Sequence, residues 1–190
     1  TAFTIGLLVL LMAVPAFGAS INKSIDIAAD EESGGATSVN GSISVGKNAV
    51  VTGGLRTVNG SIRVEDGAEI ENAKTVNGRL RMGDGVHADN LTTVNGSVTI
   101  GEMAAISGDI SAVNGSITVE PRATVAGEVS NVNGRISLTG TEIGGDVTTV
   151  TGDVRIDQTV LRSDLVIEEP SSWNKASNRK PRARSPTSSR

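Results

Sequence analysis

Three observations predict a β-solenoid, a single chain wound into stacked parallel β-coils. The first is a repeated phrase, Val-Asn-Gly, at 39–41, 58–60, 76–78, 94–96, 113–115 and 132–134, with a variant Val150-Thr151-Gly152 and a degenerate copy Ile21-Asn22-Lys23. Successive copies start 18 or 19 residues apart, and a fixed short period over most of a chain marks a repeat architecture. The second is alternation: Gly60, Ile62 and Val64 are interleaved with Ser61 and Arg63, the period-2 pattern of a strand with one buried face. The third is an apolar residue every six positions, at Val58, Val64, Ile70, Val76, Met82, Ala88 and Val94, which gives each coil three short sides. The expected fold is therefore all-β, a single-stranded parallel β-helix of roughly triangular section with about eight coils of 18–19 residues. At roughly 4.8 Å per stacked strand it would be about 37 Å long. Right-handed coiling is expected because parallel crossovers are overwhelmingly right-handed; the six-residue step leaves a left-handed helix open.

The first 18 residues stand apart from the repeats. Residues 2–14 are almost wholly apolar, and Pro15 and Ala16-Phe17-Gly18 follow. The run is shorter than the roughly 20 residues that span a bilayer. Its length fits the apolar region of a signal peptide, with the small residues Ala16 and Gly18 before a cleavage point. Residues 1–18 are read as a signal peptide lacking its own start, with a membrane anchor as the alternative. Export to the periplasm, outer envelope or exterior is the expected localisation.

Residues 19–170 are read as the solenoid. Take the coil that starts at Val58: Ile62 and Val64 make one strand, Asp66-Gly67 signals a turn, Ala68 and Ile70 continue the apolar series, and the chain returns to Val76. Three interior columns are expected: the Val of the phrase (Val58, Val76 and their counterparts), the residue four on (Ile62, Leu80), and the residue six on (Val64, Met82). No coil can bury its apolar face alone, so stability must come from stacking. The only aromatics, Phe3, Phe17 and Trp173, lie outside the repeats; a core without aromatic bulk is narrow, which suits a thin coil. The pattern stops at Glu168-Glu169-Pro170, where Pro ends the last strand. Residues 171–190 carry six Lys/Arg, no acid and almost no aliphatics, and are expected to be a disordered basic tail.

Composition excludes some chemistry. There is no Cys, hence neither a disulfide nor a thiolate metal site. Residues 1–170 hold eleven Lys/Arg against twenty-one Asp/Glu, so the solenoid as a whole should not attract nucleic acid. His87 is the only histidine. It stands at an outward or turn position with no second imidazole to share a metal and no evident partner to make it a general base. The acids Asp30, Glu31, Glu32, Glu65, Asp66, Glu69, Glu71, Asp84 and Asp89 lack the Gly-Gly-x-Gly-x-Asp rhythm of calcium-binding β-rolls and are read as a solvated face. No catalytic residue, cofactor or metal is expected, and the chain is read as non-enzymatic.

One recurring feature is a candidate in its own right. Asn22, Asn40, Asn59, Asn77, Asn95, Asn114 and Asn133 recur once per coil. Stacked in register they can pass amide hydrogen bonds along the axis, as Asn ladders do in stacked β structure, and they present a polar face that a polymer could meet. Asn-Gly is also the strongest short turn signal, because both residues tolerate positive φ. The Gly is expected at a corner where a side chain would not fit.

The coil length, the alternating aliphatics and the phrases Gly108-Asp109-Ile110 and Gly145-Asp146-Val147 resemble the bactofilins, bacterial polymer-forming proteins. The phrase Val150-Thr151-Gly152-Asp153-Val154 resembles adhesin-like β-solenoids of bacteria. The resemblance covers about residues 21–168 and is one of period more than of motif. It implies a structural protein with no catalytic residues, either an envelope or adhesive rod or a filament-forming scaffold. Bactofilins are cytoplasmic, and the signal-like segment departs from them. The expected partners are a cell-envelope polymer and other copies of the chain, met through the open ends. Glu168, Glu169, Pro170 and Trp173 are expected to guard the C-terminal end, so the expected contacts are N-end to N-end dimers, or head-to-tail filaments if the tail moves aside.

Overall fold

The computed structural model describes residues 22–167. The signal-like segment, the basic tail and the residues expected to guard the C-terminal end lie outside the described residues. Among the described residues there are 24 short strands and no helix. Each coil contributes three: Leu55–Asn59, Ile62–Val64 and Glu69–Ile70 make one coil, and Ala73–Asn77 opens the next. Equivalent strands gather into three parallel sheets of eight strands each. They are named here the long face, the middle face and the short face, after five-, three- and two-residue strands such as these. The result is a triangular β-solenoid of about eight turns.

Stacking is in register. Leu80 pairs with Ile62 on one side and Val98 on the other, Met82 with Val64 and Ile100. Like therefore lies on like, and every inward column is continuous. In one coil the inward side chains are Leu55, Thr57, Ile62, Val64, Ala68 and Ile70, none more than 3% exposed. Small Ala68 at the tight turn and larger aliphatics along the faces fill a section too narrow for aromatics.

One expected interior column is not interior. Val58, Val76, Val94, Val113, Val132 and Val150 are only half-buried and stand on the outside of the long face. Leu55 and Thr57 point inward, so strand alternation sends Arg56 and Val58 out. The six-residue count lands on Val58 only because it crosses a corner, where alternation resets. The column that belongs inside lies three residues earlier, at Leu55, Ala73, Leu91, Ile110, Val129 and Val147, all fully buried.

The corners also divide differently from expectation. Asn59 ends the long strand and Gly60 turns the chain onto the middle face. Of the ladder asparagines, only Asn22 is left-handed (φ 63°), so the Asn-Gly corner is a bend between strands. Left-handed residues mark the next corner instead, between the middle and short faces. There Asp30, Asn48, Gly67, Gly85, Met103, Arg122, Gly140 and Gln158 take φ of 48–70°, one per coil.

Candidate functional site

The edge between the long and middle faces carries the most regular surface of the molecule. Each ladder Asn donates from Nδ2 to Oδ1 of the Asn in the preceding coil: Asn40 to Asn22 at 2.6 Å, Asn59 to Asn40 at 2.7 Å, Asn77 to Asn59 at 2.8 Å, Asn95 to Asn77 at 2.9 Å, and Asn114 to Asn95 and Asn133 to Asn114 at 3.0 Å. The series is unbroken over seven residues, all exposed. An amide has two N–H donors and two acceptor lone pairs on its oxygen. Half of this capacity is spent along the ladder, and the rest faces solvent.

Beneath the asparagines the corner is too tight for a side chain. A Cβ on Gly60, Gly78, Gly96, Gly115 or Gly134 would overlap the carbonyl oxygen of the corner Gly one coil back. Four of those five carbonyls accept from a buried, mostly polar column, which Ala112 interrupts at Gly96. Thr57 Oγ1 donates to Gly41 O at 2.8 Å, Thr75 Oγ1 to Gly60 O at 2.9 Å, Thr93 Oγ1 to Gly78 O at 3.2 Å, and Asn131 Nδ2 to Gly115 O at 2.8 Å. Ser38 Oγ donates to Lys23 O in the first coil. Reading the sequence missed this column. Its signal is a Ser, Thr, Ala or Asn immediately before every Val-Asn-Gly. The column is imperfect at its C-terminal end, where the neighbours Asn131 and Thr149 leave Asn131 Oδ1 and Thr149 Oγ1 buried without a partner.

A second polar corner joins the short and long faces. Asn90 Nδ2 donates to Asn72 Oδ1 at 2.9 Å, Asn90 Oδ1 accepts from the backbone N of Asp109 at 2.9 Å, and Asp109 Oδ1 from the N of Glu128 at 2.8 Å. Farther on, Asp146 accepts from Ser163 Oγ and from the N of Asp164 at 3.0 Å. The Ser163 hydroxyl, and then the Asp164 amide, hold the Asp146 carboxyl below the usual carboxylate range.

The short face is acidic and shallowly grooved. A trough of about 600 Å3 runs over Ala105, Ser107, Thr124 and Ala126, with His87, Glu69 and Asp89 toward one end and Glu142 and Arg162 toward the other. His87 is an exposed strand residue in register with Glu69 and Ala105. Ion pairs link successive coils on this face, Arg162 with Glu142, and at its corner with the middle face, Arg122 with Glu102 and Lys47 with Asp66 at 3.0 Å. The Lys47 ammonium, together with the Asp84 N–H, pulls the Asp66 carboxyl below the usual range, and Asp66 raises Lys47 in return. Among the described residues no group of three or more His, Cys, Asp or Glu is placed to hold a metal ion.

Comparison of the chain with protein-family models, with curated proteins and with solved structures finds no match.

Proposed function

We propose that this protein is a non-enzymatic rod of the bacterial cell envelope, exported and structural or adhesin-like in role. The observation that carries the reading is the unbroken Asn edge. The same exposed amide returns at every coil, about 4.8 Å apart, so the surface has a translational repeat and no single focus. Such a surface suits a partner that is itself repetitive, and it suits mechanical continuity. The apolar segment 2–14 with Ala16 and Gly18 supports export. N-terminal sequencing of the protein from fractionated host cells tests this. A mature chain beginning near Ala19 in an envelope fraction is the expected result. An intact apolar N-terminus on a cytoplasmic protein would overturn it.

A bactofilin-like, polymer-forming scaffold is the second reading, and a specific observation favours it. The last described coil leaves Val160, Leu165, Val166 and Ile167 between 38% and 57% exposed. Its Leu161 and Leu165 stand in register with Ile143 and Val147 of the coil below. At the other end, Ser33, Ala36 and Ser38 occupy the equivalent positions, in register with Val51, Leu55 and Thr57. Among the described residues the apolar end is thus the C-terminal one, which favours end contacts through that end over the N-end to N-end dimers expected from sequence. Concentration-dependent light scattering tests this reading: growth into dimers or filaments supports it, and a monomer at high concentration refutes it.

A further inference from the structure

Charge is sorted by face in two successive coils. Segments 55–64 and 73–82, which form the long and middle faces there, carry Arg56, Arg63, Lys74, Arg79 and Arg81 and no acid. Segments 65–72 and 83–90, which close the same coils through the short face, carry six Asp/Glu and no Lys or Arg. The cations and acids thus occupy different sides of the triangle. The one ion pair between the two sets joins Arg63 and Glu65, across 3.5 Å and with both side chains about half exposed.

The arrangement works against the fold. Register stacks Arg56 on Lys74 and Arg63 on Arg81, and like charges on directly opposed strand positions are destabilising. Neighbouring coils avoid this with Thr92 beside Lys74 and Thr99 beside Arg81. Arg63, Arg79 and Arg81 stand on the middle-face side of the Asn59–Asn77 rung, while Arg56 and Lys74 stand on the long face beyond the outward Val58 and Val76, beside Asn72. Around that rung lie exposed amides with free donors and acceptors and the hydroxyl of Ser61, whose Oγ meets the Arg79 backbone N at 3.3 Å.

We infer that this basic patch of two coils, Arg56, Arg63, Lys74, Arg79 and Arg81 on the long and middle faces to either side of the Asn59–Asn77 edge, binds a linear acidic polysaccharide. Guanidinium forks match carboxylates bidentately, and the asparagine amides and Ser61 match sugar hydroxyls. The strand spacing of about 4.8 Å sets anionic and hydroxyl contacts at intervals comparable to one sugar ring. A single-stranded nucleic acid fits less well. Its affinity leans on stacking against aromatic side chains, and residues 22–167 contain none. The site does not depend on whether the chain is exported.

Polygalacturonate oligomers are the probe, added to the full chain at low salt. Each arginine is read separately by phenylglyoxal modification and mass spectrometry, which keeps the patch distinct from the basic tail. Arg56, Arg63, Arg79 and Arg81 should be protected, and Arg135 and Arg155 should not. Arg63→Thr with Arg81→Thr, using the residue the next coil carries, should weaken the affinity that this protection reports by about tenfold or more, the worth of one lost charge-assisted hydrogen bond. Arg135→Ser with Arg155→Thr removes the same charge elsewhere and should leave it unchanged. Without ligand, the first variant should melt higher than the parent, since it unstacks two like charges; this also shows that it folds. Protection confined to the tail, or equal losses in the two variants, would overturn the proposal. So would tighter protection of the patch by a single-stranded oligonucleotide of equal charge, which would reassign it to nucleic acid.

Discussion

Replacing Thr75 by Val tests whether the buried column beside the Asn edge works by packing or by hydrogen bonding. Thr75 is 3% exposed, and its Oγ1 reaches Gly60 O at 2.9 Å. Val has nearly the same shape, so no cavity opens. What is lost is one hydrogen bond, worth about 1 kcal/mol net, plus the cost of a buried acceptor losing its donor, about 1–3 kcal/mol. The methyl that replaces the hydroxyl returns roughly 0.8 kcal/mol. The expected net loss is about 1–3 kcal/mol, which for a chain of this size lowers Tm by about 2–12 °C. Far-UV circular dichroism on heating measures it. Ala112 provides the opposite sign, because it occupies this column without a hydroxyl, between Thr93 and Asn131. Ala112→Thr supplies a donor beside the Gly96 carbonyl and should raise Tm. If Thr75→Val melts at or above the parent, the column is ordinary core and the hydrogen-bond argument fails.

Three further outcomes are expected. Asn77→Ala breaks two rungs, to Asn59 at 2.8 Å and from Asn95 at 2.9 Å, and should cost about 1 kcal/mol in thermal or denaturant melts; unchanged melting would mean that the ladder contributes nothing. Met103 is left-handed at φ 57° and 53% exposed, in the column where other coils use Gly67, Gly85 and Gly140, so Met103→Gly should stabilise by about 0.5–1 kcal/mol once strain relief is set against chain entropy; a lower melting point would refute the strain. Asp66 and Asp146 have folded-state pKa values below their unfolded ones. Their contribution is therefore complete above about pH 4, near the unfolded carboxylate value, and is lost as pH falls through the folded values. Asp66→Asn should flatten the acid limb of a stability–pH profile at low salt, and an unaltered limb would show that the Lys47 pair is inert.

The coil count, the triangular section and the Asn positions were legible in the sequence because one phrase recurs nearly unchanged. In-register stacking then forces equal positions into contact, as Asn59 on Asn77 and Ile62 on Leu80. The Val column was misread because periodicity of six does not say where a corner interrupts alternation; Val58 is apolar yet outside, while Thr57 is polar yet inside. A buried Thr looks outward until its acceptor, the corner Gly carbonyl, is located. The left-handed corner was half legible. Asp66-Gly67 and Asp84-Gly85 announce it, whereas Met103 and Arg122 adopt the same conformation only because the stacked coils on either side impose it. The basic patch was invisible in a net charge of −4, since basic and acidic segments that alternate along the sequence lie on different sides of the triangle.

The central claim, that the coils stack in register along one axis, is most directly tested by pulsed electron–electron distance measurements. The chain has no Cys, so introduced pairs can be spin-labelled cleanly. Asp26, Ser44, Arg63, Arg81, Thr99, Thr118, Ser137 and Arg155 form one outward column of the middle face. Labels at Ser44 and Ser137 span five coil steps and should lie about 24 Å apart, and labels at Asp26 and Arg155 span seven and should lie about 34 Å apart. Distances that grow linearly with coil number support the solenoid. Distances that fail to grow with coil number, as in a folded-back sandwich, would contradict it.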